Sequence, residues 1–221
     1  MRKIIFLVVL LVGLTSCGEN EEIKNVETTD SKSIAVASEE VNENKNDVKA
    51  TEKEETETRE NTTFRNTVWG DSIEDVKKYE TAELLEENTD ALVFEDIILG
   101  RDMYVIYYFN NDKLTNSVYG LKNELSNGGQ YLQQYNNFKE SLIEIYGEPK
   151  EDGTQKFKDD DSIAYAGESD ALEFGYLAYF SRWENESTLI QMGLFYENFD
   201  PQFVISYSDK NYKEDVSKSG L

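Results

Sequence analysis

The chain has 221 residues, a formal net charge of −23, a single cysteine and no histidine. Without histidine there can be no His-based triad, no imidazole acid–base pair and no His-ligated zinc, and a single cysteine closes no disulfide within the chain. The acidic balance argues against nucleic acid and against adhesion to anionic lipid, because both need Lys or Arg set against phosphate; a charged partner is expected to be basic.

At the N-terminus, Arg2 and Lys3 precede an unbroken apolar run, Ile4 to Leu14, that closes on Leu14-Thr15-Ser16-Cys17. A basic head, a short apolar core and small residues before a cut site read as a secretory signal, and the run falls short of the about 20 apolar residues of a membrane span. Leu14-Thr15-Ser16-Cys17 resembles the bacterial lipobox. The resemblance implies cleavage before Cys17, acylation of Cys17 and a membrane partner reached through that lipid anchor. The alternatives are an ordinary signal peptide with a coincidental cysteine, or a buried strand; the position of the only cysteine favours the lipobox. Gly18 is not the Asp that retains lipoproteins at the inner membrane in many Gram-negative bacteria. Glu19, Glu21 and Glu22 resemble the acidic run that sends lipoproteins to the cell surface in some of them. The expected address is the bacterial cell envelope, at the outer rather than the inner membrane, or the outer face of the only membrane in a Gram-positive cell.

Residues 17–63 follow as an acidic tether. From Gly18 to Thr63 there is no aromatic residue, no Pro and no Met, and 14 Asp/Glu stand against 6 Lys/Arg. Such a segment buries too little apolar surface to offset the entropy of ordering and is expected to be disordered, spanning about 35–40 Å as a flexible coil. From Phe64 on come all 14 Tyr, both Trp and all but one of the 11 Phe. Residues 64–221 therefore read as one domain, expected to be a monomer, burying roughly 70% of its unfolded-chain surface.

Within the domain, Asp71 with Glu74 three residues on reads as a capping box, opening a short helix over 72–80 with Ile73, Val76 and Tyr79 on one side. Strand candidates follow at 92–99, 103–109 and 114–121. Met103 to Phe109 is apolar on both faces, as in a central strand, and Asn110-Asn111-Asp112-Lys113 reads as a turn. Tyr131, Tyr135, Phe138, Leu142 and Ile145 form one helical stripe, opened by Asn127-Gly128-Gly129 and stopped by Gly147 and Pro149. Residues 150–170 read as a long acidic loop with one short strand near Lys156. Three more strand candidates lie at 176–183, 188–196 and 203–207. The fold class is α+β: two α-β-β-β halves forming one antiparallel sheet of about six strands, with both helices on one face.

The stretch TVWGDSIEDVKKYE, residues 67–80, resembles the Gly-x-Ser/Thr-x-x-Asp/Glu-Val helix opening of small bacterial envelope lipoproteins, among them one attached to the outer-membrane β-barrel assembly machine. The doubled helix-plus-strands order is similar to the β-lactamase-inhibitor-protein fold. Both resemblances imply a domain that binds other proteins and carries no catalytic site.

Chemistry is sparse. Asn127-Gly128-Gly129-Gln130 has the glycines of a phosphate loop but lacks its Lys. Glu95 and Asp96 are adjacent on a strand and so face opposite ways, the wrong geometry for a pair of carboxyl groups acting across a cleft. Asp159, Asp160 and Asp161 supply carboxylates without the spacing of a calcium loop, so the sequence predicts no metal, no cofactor and no enzyme activity. What stands out is the aromatic load. If the helices cover one sheet face, Tyr104, Ile106 and Tyr108 point outward on the other and offer a surface for an envelope protein or, by ring stacking, a glycan. The alternative is that the 150–170 segment or the tether covers that face.

Overall fold

The computed structural model describes residues 59–197 and 200–212. The signal segment 1–16, Cys17 and the tether as far as residue 58 lie outside the described residues. Arg59 is already held to the domain: its guanidinium pairs with Asp71 at 2.5 Å and lies 4.3 Å from the centre of the Tyr79 ring. A tight turn at Phe64–Thr67 then drops the Phe64 ring among Tyr107, Tyr119 and Tyr207, with centroids 5.4, 5.0 and 4.8 Å away.

Helix α1 spans Ile73–Tyr79. Its cap is Ser72, not Asp71: the Ser72 hydroxyl accepts from the Asp75 N–H, and the Asp75 carboxylate accepts from the Ser72 N–H. The box is therefore shifted one residue from the predicted Asp71–Glu74 pair, because Asp71 is engaged by Arg59 and the Val68 N–H. Val76 is buried and Ile73 packs beside it, whereas Tyr79 serves as the platform for Arg59.

Eight strands make one antiparallel sheet: β1 Glu83–Glu87, β2 Ala91–Ile98, β3 Arg101–Phe109, β4 Leu114–Leu121, β5 Glu151–Lys156, β6 Leu177–Glu184, β7 Thr188–Glu197 and β8 Asp200–Asp209. Their order across the sheet is β1-β2-β3-β4-β8-β7-β6-β5. The expectation of about six strands falls short by the two edges. β1, Glu-Leu-Leu-Glu-Glu, is exposed throughout, and β5 is exposed at all but Gly153, so neither carries the alternation that marks a half-buried strand. Charged edges of this kind discourage pairing with other chains. Pro201 sits inside β8, which is tolerable because β4 pairs only with Val204 to Ser208 and leaves that end of β8 with one neighbour.

Helix α2, Gly128–Tyr146, lies across the sheet and buries Tyr131, Tyr135, Phe138 and Leu142. Ile145, predicted for the same stripe, is exposed; Ile143 packs in its place as the last turn runs past the core. Each large side chain fully buried here contributes about 1.5–3 kcal/mol. The 150–170 segment is not a long loop. The short strand expected near Lys156 is present as β5, but helix α3 at Asp160–Ala166 and helix α4, which begins here and runs Glu168–Glu173, replace the loop, so the described helices number four rather than two. Leu172 of α4 joins the same core as Val76 of α1 and the α2 stripe. Gly128 permits the close approach of α2 to α4, since a Cβ there would fall 2.5 Å from the Ser169 carbonyl oxygen. Its N–H donates to the Glu173 carboxylate, which adds a cap from a second helix.

Candidate protein-binding surface

Side chains alternate along each strand, which gives the sheet two unlike faces. The first carries Leu92 and Phe94 of β2, Met103, Val105, Tyr107 and Phe109 of β3, Ile205 and Tyr207 of β8, and Ile190, Met192 and Leu194 of β7. The buried apolar side chains of α1 and α2, and Leu172 of α4, join this cluster, and α3 buries none. The odd-numbered residues of β3 thus meet the helices, which leaves the even-numbered residues to the other face.

The second face receives Tyr104, Ile106 and Tyr108. Tyr104 and Tyr108 are half-buried, but Ile106 is 2% exposed and is not an accessible contact residue. Ile106 stands between Val93 and Val118 in the row that crosses the sheet, with the two tyrosines before and after it on its own strand. An expectation of three outward-pointing large side chains therefore becomes two rings flanking a buried isoleucine. Burial, aided by the charge of Asp90, pushes the Tyr108 phenol above its ordinary pKa. Among the described residues, no helix adds a buried side chain to this face. Helix α4, at the end of the 150–170 segment, turns Leu172 into the opposite core.

The rest of the second face comes from strands whose contribution the sequence did not single out. Beside Ile106 and Val118 the same row continues through Ser206, Gln191 and Arg182, all half-buried. The next row passes from Tyr104 over Gly120, Val204 and Gly193 to Phe180, so a shallow floor of small residues lies between two aromatic side chains. Gly153 lets the Phe180 ring lie close to the β5 backbone, for a Cβ there would stand 3.3 Å from Phe180 Cζ. At the other margin Glu95 pairs with Lys122, which raises the lysine pKa through that bond. Seven strand spacings give the face a width of about 33 Å. The signal for these residues was strand geometry, which assigns one residue in two of each strand candidate to each face.

Of the carboxylates considered for chemistry, Glu95, Asp96, Asp159 and Asp160 have structural partners. Asp96 pairs with Arg65 at 2.6 Å on the opposite side from the Glu95–Lys122 pair. Asp159 caps α3 by accepting from the Ser162 N–H, and Asp160 pairs with Lys156. Among the described residues, no group of three or more His, Cys, Asp or Glu converges to hold a metal ion. No described helix is long and apolar enough to cross a membrane. No protein-family model matches the chain, and neither a curated protein nor a solved structure is detectably similar to it.

Proposed function

We propose that this protein is a lipid-anchored lipoprotein of the bacterial cell envelope that has no catalytic activity and binds another envelope protein through the second face of its sheet. The observation that carries the reading is the asymmetry of that sheet: one face packs the described helices into the core cluster, and the other presents half-buried Tyr104, Tyr108, Ser206, Gln191 and Arg182, none of which belongs to that cluster. Flat surfaces of this size suit protein partners better than enclosed small ligands. The doubled order, α1 before β1–β4 and α2 before β5–β8 with β4 and β8 joined at the centre, supports the resemblance to the β-lactamase-inhibitor-protein fold. A non-enzymatic role is in keeping with the inaccessibility of the Ser181 hydroxyl beside the Asp152 carboxylate. Ser181 donates to Asp152 and bonds Tyr135, but at 1% exposure it is closed to substrate.

The anchor is tested by Cys17→Ser, which is expected to leave an uncleaved precursor or a soluble protein on membrane fractionation. A processed, acylated Ser variant would end the lipoprotein reading. The surface is tested in cells with a photo-crosslinking residue at Ser206 and, as a control, at Glu140, which is exposed on α2. A discrete envelope-protein adduct is expected at Ser206 only, and it should disappear with Tyr108→Ala. The same adducts at both positions would mean that the sheet face is not the docking surface.

A further inference from the structure

The segment between β5 and β6 exposes rings that the rest of the fold buries. Phe157 and Phe174 are exposed, and Tyr165 is 96% exposed. Tyr165, Phe174 and Tyr176 line one open cleft together with Asp161 and Asp170. The cleft walls are fixed from several directions. Asp159 caps α3, Ala171 and Leu172 anchor α4 in the core, and the Phe157 N–H donates to the Tyr176 carbonyl at 2.8 Å. The Phe174 and Tyr176 rings stand 5.6 Å apart with their planes inclined by 49°. No ion pair engages Asp161 or Asp170 among the described residues, and a cation of the chain itself, Lys158, has its ammonium 5.9 Å from the centre of the Tyr176 ring.

Aromatic faces beside uncompensated carboxylates attract cations twice, through the ring quadrupole and through charge. A net charge of −23 raises the local concentration of positive groups further. We infer that this cleft holds Lys or Arg side chains of a basic polypeptide segment. Lys158 occupies the margin of the same field and is displaced or joined by the incoming cation. The site lies on the β5–β6 segment rather than on the sheet face, so it stands or falls independently of the docking surface proposed above.

The test is calorimetric titration of the full-length protein with hexa-arginine, with maltohexaose as a neutral comparison. The paired substitution Tyr165→Ala and Phe174→Ala is expected to weaken hexa-arginine binding about tenfold or more. Asp161→Asn with Asp170→Asn should weaken it and flatten its salt dependence. Two neutralisations on α2, Glu140→Gln and Glu144→Gln, should change it by no more than about twofold, as expected for exposed charges away from the site. An affinity unmoved by the ring variants, or moved equally by the α2 pair, overturns the proposal in favour of diffuse charge attraction. Maltohexaose binding that is lost in the ring variant while hexa-arginine binding survives overturns it in favour of a sugar site.

Discussion

Glu80 has a side chain with no exposed surface, and its carboxylate is satisfied on every side. One oxygen accepts from the Thr81 and Ala82 N–H groups and from Arg65, while the other meets Arg65 Nε at 2.8 Å and accepts from the Tyr107 hydroxyl. Burial is the largest single influence and works to lower the Arg65 pKa, but the Glu80 charge together with Tyr119, Asp96 and Tyr107 outweighs it and holds the guanidinium firmly protonated. Burial first, and then the same carboxylate, push the Tyr107 phenol up. Arg65→Met strips the cation from a carboxylate that has no water to turn to, and should cost about 3–5 kcal/mol in urea unfolding at neutral pH. Arg65→Met combined with Glu80→Leu should recover most of that loss. A single variant within about 1 kcal/mol of the parent would mean the cluster is hydrated. On β3, Val105→Ala and Phe109→Ala should each cost about 2–5 kcal/mol, and Ile106→Ala should fall in that range because it is buried between its strand neighbours Val93 and Val118. Tyr104→Ala and Tyr108→Ala should cost clearly less, their rings being only half-buried. Alternation along β3 was legible from residues 103–109, but the burial of Ile106 depends on Val93 and Val118, which only the strand register brings beside it.

Elements with one apolar face were the ones the sequence could place. β4 occupies its expected span, residues 114–121, and α2 keeps four of its five stripe residues. The elements missed bury almost nothing of their own. α3 has no buried residue, and α4 is six residues long with two buried, too short for a helical period to emerge. Their signals were local instead: Asp159 three residues before Ser162, and Gly167 at φ 80°, ψ 159°, where it ends α3 and begins α4. Such a backbone position belongs to glycine. The same holds for Gly147, at φ 77° and ψ −169°, whose carbonyl also accepts from the Trp183 indole N–H. Gly147→Ala should lower stability by about 1–3 kcal/mol through backbone strain. Gly128→Ala should cost a similar about 1–3 kcal/mol through overpacking against α4. Denaturant midpoints of the two variants check both, and the effects should add, because the residues sit at opposite ends of α2. A neutral Gly128→Ala would show that α4 moves freely away from α2.

For the whole domain, composition predicts how stability responds to pH. With no histidine in the chain, no imidazole changes charge between about pH 5 and 9, so stability is expected to be flat across that window. On the acid side stands Asp152. Burial works to raise its pKa, but Lys139 and Ser181 together hold it below the ordinary 3.8. A depressed carboxylate contributes stability that is complete above its unfolded pKa and is lost as the pH falls through the folded one. The decline should therefore begin near pH 4, and Asp152→Asn should soften it. On the alkaline side the sign reverses. Burial pushes Tyr119 up to about 12, and burial pushes Tyr107, Tyr135 and Tyr207 higher still, from an ordinary value of 10.0. Their contribution is complete below the unfolded pKa of 10.0 and is lost as the pH rises through the folded values, since only the unfolded chain can ionise these phenols easily. Tyrosinate absorbance of the buried set should thus appear at high pH in a single step that coincides with loss of far-ultraviolet dichroism. Smooth titration of every tyrosine near pH 10 without unfolding would mean that water reaches the helix-covered face. In that case the two faces of the sheet would not differ, and neither would their fitness to bind a partner.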